Sequence, residues 1–373
     1  MKKQRALSLV GKLKQDSVQN RIKELFIDKK KSGPWVVELD PTTACNLACH
    51  DCISANLLNQ GGIPPERLMK LAGEFSEVGV KAVVLIGGGE PMAHKEFGNL
   101  VKAFSEKNIH TGVTTNGTLL SKFLDVTAKN VSWLRVSVDA GSEKVFQNFR
   151  PHASGRSQFN LVVSNMKEYA KIKKGILGYS FLLLSKFDKD NKLIDTNATD
   201  IENAANVAKE IGCDYFEVKP AFDIMHYLQQ QNKEVTSITN EQLKNIKKLN
   251  SDNFQIIAPF TLEEALKGAV TQPKEYTRCL VAEMRTVVSP SGVYVCPYHR
   301  GNAMMKIGDI NKESFKDLWY GQKRQNVMQK TNPQIHCGFH CIRHESNRYL
   351  ENVLAGEEVS TPTDKSKDYD RFI

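Results

Sequence analysis

Six short runs of β-forming residues alternate with helical stretches over the first 220 positions, and this rhythm constrains the chain more than any other feature. The runs are Trp35–Leu39, Lys81–Ile86, His110–Thr114, Trp133–Val138, Gly178–Leu184 and Tyr215–Lys219. Helical patterns lie between them near 64–78, 95–107, 118–128, 157–174 and 198–211, the first opened by Pro64-Pro65-Glu66. Strands that alternate with helices pair in parallel and carry their helices on the sheet's faces. The expected fold is therefore α/β, a partial (β/α)6 TIM-like barrel of parallel strands over residues 35–220. In such barrels chemistry sits in the loops at the C-terminal ends of the strands.

After Lys219-Pro220 the rhythm stops. Residues 221–275 read as a helical connector. Arg285–Ser289 and Val293–Cys296 flank Pro290-Ser291-Gly292, a hairpin signal, and helical patterns follow at 313–320 and 322–330. Residues 276–345 thus form a second, small α+β unit, followed by a tail, 346–373, that is polar and expected to be mobile from about 356. Ahead of the barrel lies an arm, residues 1–34. The net charge of +9 belongs mostly to it, because residues 1–31 hold ten Lys/Arg against three Asp/Glu. The remainder is nearly neutral, which argues against nucleic acid as a partner. Leu9/Leu13 and Val18/Ile22/Leu25/Phe26 recur at helical spacing, so the arm is expected to pack on the outside of the barrel as a basic amphipathic helix. The alternative is a docking arm for an anionic partner or membrane surface. No apolar run is long enough to span a bilayer. Ala6–Val10 is too short for a secretory signal, so a cytoplasmic location is expected. Eight cysteines in such a chain point to metal or redox chemistry rather than disulfides.

The first strand runs directly into Glu38-Leu-Asp-Pro-Thr-Thr-Ala-Cys45-Asn-Leu-Ala-Cys49-His-Asp-Cys52. A structural zinc site uses four protein ligands, and only three cysteines are local here. His50 lies inside the loop and does not easily reach the same ion. Three thiolates suit a four-iron cluster instead, and they leave one iron without a protein ligand.

The loop resembles the CxxxCxxC signature of the radical S-adenosylmethionine (SAM) superfamily. Three more matches fall at successive strand ends. Gly87-Gly88-Gly89-Glu90-Pro91 is similar to the family's GGE motif, Thr114-Thr115-Asn116-Gly117 to its TNG segment, and Ser137-Val138-Asp139 to the polar end of its fourth strand. The resemblance implies that the open iron chelates SAM, that Gly88 and Gly89 let the backbone approach its methionine part, and that Glu90 accepts from its ammonium. It places Asn116 near the ribose, with Ser137 and Asp139 nearby. The family usually has an aromatic residue before the third cysteine. Here Asp51 stands there after His50, so His50 is expected to stack on the adenine or Asp51 to bond its amine.

Cys279, Cys296, Cys337 and Cys341 form a second set. Four thiolates from one compact unit suit either structural zinc or a fully ligated iron–sulfur cluster. Behind a radical SAM barrel the arrangement resembles the twitch unit, the shortened form of the SPASM extension, which implies a second four-iron cluster. His336, His340 and His344 are expected to pack around it. The eighth cysteine, Cys213, reads as a small buried residue, with a hydrogen-atom donor as the alternative.

The resemblance implies reductive cleavage of SAM to a 5′-deoxyadenosyl radical that abstracts a substrate hydrogen. A flavodoxin or ferredoxin would donate the electron. A fully ligated second cluster implies an electron acceptor. The cysteine spacing is similar to that of the twitch dehydrogenase of aminoglycoside biosynthesis, so the first expectation is oxidation of a carbohydrate- or aminocyclitol-type alcohol. The alternatives are a SPASM-type peptide or protein maturase and a radical epimerase. Candidate catalytic groups are Glu217 or His299 as base and Arg150 in the loop after the fourth strand. Tyr179, Phe181, Lys219 and His152 are further candidates facing the substrate.

Overall fold

A computed structural model describes residues 9–221, 232–267, 273–338, 341–357 and 371–373. All six expected strands form, as β1 (Val36–Leu39), β2 (Ala82–Leu85), β3 (His110–Thr115), β4 (Val131–Ser137), β5 (Ile176–Leu183) and β8 (Tyr215–Pro220). They pair in parallel in the order β1-β2-β3-β4-β5-β8, and the sheet is open rather than a closed barrel. The helices Pro65–Glu77, Phe97–Glu106, Leu124–Asn130, Phe159–Ile172 and Ile201–Ile211 connect them. Their buried residues meet one face of the sheet. Leu68, Leu71, Phe75 and Phe104 share a cluster with Val37, Leu39, Val83, Leu85, Leu134 and Val136. Side chains alternate along a strand, so Val36, Glu38, Ala82, Val84, Trp133 and Arg135 belong to the opposite, inner face.

Two elements were not foreseen. A small antiparallel hairpin, β6 (Ser185–Phe187) and β7 (Leu193–Thr196), stands beyond β5. Inside the stretch expected to be helical, β9 (Gln255–Ile257) adds a parallel strand outside β8. Three residues are too few to show periodicity in the sequence. The expected hairpin forms as β10 (Arg285–Ser289) and β11 (Gly292–Tyr294), followed by β12 (Lys306–Gly308). It does not stand apart: β10 pairs in parallel with β1, so one ten-stranded sheet runs β12-β11-β10-β1-β2-β3-β4-β5-β8-β9.

The arm folds as Leu9–Leu13, Asp16–Ile22 and a π-turn Lys23–Ile27. It does not lie outside the helix layer. Leu13, Val18, Ile22 and Phe26 form one cluster with Val36, Ala82, Val84, Leu280, Met284 and Leu350, on the inner face of the strands. A parallel sheet is apolar on both faces, and the helices cover only one. The tail also departs from expectation. Phe372 and Ile373 are buried in that same cluster, the Phe372 ring meeting Trp133 edge-on at 5.4 Å. Trp35 Nε1 donates to the Arg371 carbonyl at 3.0 Å, and the Arg285 guanidinium donates to the Ile373 carbonyl. Two large apolar residues suffice to bury the end of an otherwise polar segment. Among the described residues no helix is long and apolar enough to cross a membrane.

Truncating the Phe372 ring removes this cover. Phe372→Ala is expected to cost about 3 kcal/mol of stability, read as a lower midpoint in urea unfolding; an unchanged midpoint contradicts the seating of residues 371–373.

Candidate functional site

The loop after β1 is held by two backbone straps. On one side Thr43 N donates to the Gly61 carbonyl at 2.9 Å and Asn59 N to the Thr43 carbonyl at 2.8 Å. On the other, Ala48 N donates to Pro151 O at 2.8 Å, His50 N to Phe149 O at 3.1 Å and Ala153 N to Asn46 O at 3.0 Å. Cys45, Cys49 and Cys52 sit between the straps, half-buried and outside any disulfide. Burial pushes the Cys45 and Cys49 thiols above the ordinary range.

The glycine-rich turn after β2 docks on this loop. A Cβ at Gly89 would lie 2.5 Å from the Ala44 carbonyl oxygen, so only glycine allows the approach, and Glu90 N donates to that same carbonyl at 2.8 Å. A Cβ at Gly88 would stand in ordinary contact with Thr43, Asp40 and Leu57. The Glu90 side chain serves the protein first. Its Oε1 accepts from Met92 N at 3.1 Å and Thr115 Oγ1 at 2.7 Å, and its Oε2 from Asn116 N at 2.7 Å. Burial raises its pKa. A carboxylate has about four acceptor positions, so one remains for a ligand donor such as an ammonium. Asn116 ties the third strand end to the cysteines, with Nδ2 at 2.9 Å from Asn46 Oδ1 and 4.0 Å from Cys45 Sγ.

Asp139 takes a left-handed conformation at φ 57° and turns its carboxylate inward. Oδ1 accepts from Leu182 N at 2.7 Å, and Oδ2 pairs with the Arg150 guanidinium at 2.5 Å. Burial disfavours the Arg150 charge, yet Cys49 and Asp139 hold it protonated. Ser137 lies opposite Ser180 in register. His50 is largely exposed, with Nδ1 at 3.2 Å from Asp51 Oδ1. Asp51 Oδ2 and Arg150 Nε are buried without a hydrogen-bond partner.

Tyr179 and Phe181 do not face this site. In the observed register they point into the helix-side core, fully buried beside Phe216 at 5.6 and 5.8 Å, while Ser180 takes the inner face. The strand reads as apolar on both sides, so only pairing settles which face is which. Glu217 and Lys219 do face inward. Burial works against the Glu217 charge, but Lys219 at 3.6 Å and Arg135 at 3.7 Å hold its pKa below the ordinary value. His152 is half-buried, its Nδ1 hydrogen-bonded to Ser154. Cys213 is buried in the helix-side core.

The members of the second cysteine set lie near enough to act on one another's charge, although among the described residues no three His, Cys, Asp or Glu side chains are drawn together as metal ligands. Burial and the neighbouring Cys341 push Cys279 up to about 12, and burial with Cys296 does the same to Cys337. Cys296 rises for the same reasons, through burial, Cys341 and Cys279. His299 belongs here, with Nε2 at 3.7 Å from Cys337 Sγ. Burial first, then His336, pulls it down to about 4. His344 Nδ1 lies 3.2 Å from the Tyr276 hydroxyl. His340 falls outside the described residues.

Sequence reading missed a buried ion network between the two sets. Arg300 follows Cys296 closely. Its Nε and Nη2 meet Asp40 at 2.6 and 3.1 Å, and Nη2 also reaches Glu38 at 3.2 Å. Arg285 pairs with Glu38 at 2.8 Å. The only local hint was a pair of acidic residues closing the first strand.

By the chemistry of their donors, both sets suit iron–sulfur groups. The first offers three thiols on a rigid loop, a protonated arginine to offset thiolate charge, and two unsatisfied buried polar atoms at its edge. The second offers four thiols whose charges act on one another.

Comparison with known proteins agrees. A sequence model of the radical SAM superfamily matches residues 39–196, and one of SPASM, an iron–sulfur cluster-binding domain, matches residues 279–342. The AdoMet-dependent heme synthase of Methanosarcina barkeri is 22% identical over 77% of this chain and 82% of its own length. The mycofactocin maturase MftC of Mycobacterium tuberculosis is 21% identical over 88% of this chain and 80% of its own. A match at 31% identity to the GTP 3′,8-cyclase of Synechocystis spans only 34% of this chain and 38% of that protein. Among solved structures, Streptococcus suis SuiB bound to its precursor peptide SuiA superposes with a TM-score of 0.59 at 17% identity, covering 84% of this chain and 71% of that one.

Glu90→Gln would aim an amide N–H at a backbone N–H, that of Met92 in one orientation and of Asn116 in the other. The expected loss is about 2 kcal/mol in urea unfolding, with weaker SAM binding alongside. Unchanged stability would show that the carboxylate is not the brace between the strand ends.

Proposed function

We propose that this chain, which belongs to the radical SAM superfamily and carries a SPASM iron–sulfur cluster domain, oxidatively modifies a peptide or peptide-like substrate. When bound, the first cluster supplies the electron that splits SAM into methionine and a 5′-deoxyadenosyl radical, the species that takes a substrate hydrogen. The protein's own part is to hold and orient. Cys45, Cys49 and Cys52 hold that cluster. Gly88, Gly89, Glu90 and Asn116 shape the seat for SAM, Ser137, Asp139 and Arg150 bound it, and Asp51 offers its free Oδ2 to a ligand donor. Cys279, Cys296, Cys337 and Cys341 leave no open iron for substrate, which suits their cluster to taking up the second electron of an oxidation. His299, against Cys337, acts on that cluster rather than as a base on substrate.

One observation carries the substrate class. The inner face of β3, β4, β5 and β8 presents Thr114, Arg135, Ser137, Ser180, Glu217 and Lys219. Donors, acceptors and charges of both signs match a backbone of amides with charged side chains or ends. The small serines leave room over β5. Trp133, an aromatic ring on this face, packs against Phe372 and is not free for stacking on a sugar ring. The SuiB structure, bound to a precursor peptide, supports the same class. Epimerisation finds no support in Cys213, which lies on the other side of the sheet.

The test is anaerobic turnover by protein reconstituted to about eight irons per chain, with SAM and a flavodoxin or dithionite as reductant. Short peptides encoded beside the gene and a set of aminocyclitols are offered separately. A peptide that loses two hydrogens as 5′-deoxyadenosine accumulates is the expected result. A cyclitol turned to its ketone while every peptide stays unchanged would overturn the peptide reading. Cys337→Ala is expected to keep SAM cleavage and to lose the oxidised product.

A further inference from the structure

Asp40 and Arg300 lie 260 positions apart in sequence, yet they meet through two hydrogen bonds in a site where Asp40 is almost fully buried. Each belongs to a different functional loop. Asp40 follows the first strand, five positions before Cys45, and its carboxylate packs against Gly88 of the glycine-rich turn, with Oδ2 4.0 Å from where a Gly88 Cβ would stand. Arg300 closes the short turn Pro297–His299 that follows Cys296, and its Nη1 donates to the Pro297 carbonyl at 3.0 Å. The next residue, Gly301, takes φ 78° and lies against Leu57 of the first cysteine loop. Gly88 and Leu57 are themselves neighbours. An unbroken chain of contacts therefore runs from the turn after Cys296, through Arg300 and Asp40, to Gly88.

We infer that Asp40 and Arg300 are positioning residues for SAM, fixing the Gly88 turn against the cysteine loop and making its geometry depend on the auxiliary domain. The inference rests on the reading of the Gly88–Glu90 turn as the seat for SAM. The physical basis is the fork geometry of the guanidinium. It grips both oxygens of Asp40, sets the rotation of that carboxylate, and thereby fixes the surface on which Gly88 packs. Glu38 receives the remaining reach of Arg300 and is itself held by Arg285. Nothing else in the turn does this work. Gly87 and Gly88 carry no side chains, and Gly89 and Glu90 are fixed to Ala44 rather than to Asp40.

The experiment uses the full chain in two forms. In the reconstituted protein, Arg300→Met is expected to weaken SAM binding about tenfold, the loss of one charge-assisted contact. KM for SAM rises in step while the cleavage rate at saturating SAM holds. Arg300→Lys, which keeps charge but not the fork, and Asp40→Asn, which keeps shape but not charge, are expected to fall between. In the iron-free protein the same substitutions are expected to speed amide hydrogen exchange at 86–90 without changing exchange in the strands. Full iron loading with unchanged SAM affinity and unchanged exchange at 86–90 in Arg300→Met would overturn the inference. If that variant does not fold, the Lys and Asn variants decide it by the same two readouts. Wild-type protein that loads iron but binds no SAM would instead overturn the underlying reading of the turn.

Discussion

β1 is paired in parallel on both sides, with Val36 opposite Ala82 of β2 and opposite Arg285 of β10. Everything else in the site depends on this. Parallel neighbours end on the same rim, so the cysteine loop after β1 and the glycine turn after β2 leave the sheet together, and the hairpin that carries Cys296 rides on the strand next to them. The pairing also demands cover on two faces, since Val36 and the neighbouring Ala82 and Val84 leave the early part of the inner face apolar as well. Helices supply one cover. The N-terminal arm and residues 371–373 supply the other, over the early ends of the strands, and leave the later ends open for chemistry.

Charge at the open end is used as framework. Glu90 braces two strand ends, Asp139 holds Arg150 beside Cys49, and Glu38 and Asp40 are gripped by Arg285 and Arg300. A buried ion pair gains little net stability, because each charge loses its water. Such pairs do fix direction, and loops at a strand's end need direction more than they need cohesion. The four structural carboxylates are therefore spent on placing backbone amides and cysteines. Glu217, shared by Arg135 and Lys219 at longer distances, is the looser group on the same face.

The βα alternation, the places of the six strands and the order of the motifs at their ends were all legible in the sequence. So was the first cysteine set, because its spacing is a local property of one short loop, whereas Cys279, Cys296, Cys337 and Cys341 lie far apart and were grouped by resemblance to a known unit. What local pattern left open was orientation. Tyr179 and Phe181 look as suited to the inner face as Ser180 does, and only the register of β5 between β4 and β8 sends the aromatics to the helices. β9 is too short to leave a trace.

The amino-acid sequence by itself determined the class of fold and the radical SAM and SPASM motifs, because strand periodicity and motif spacing act over a few bonds. The tertiary structure alone decided that the arm and the last residues plug the inner face, that the hairpin joins the barrel's own sheet, and that Arg300 meets Asp40. Those outcomes depend on which surfaces remain uncovered once the helices have packed, and on contacts between residues hundreds of positions apart. No local rule encodes either.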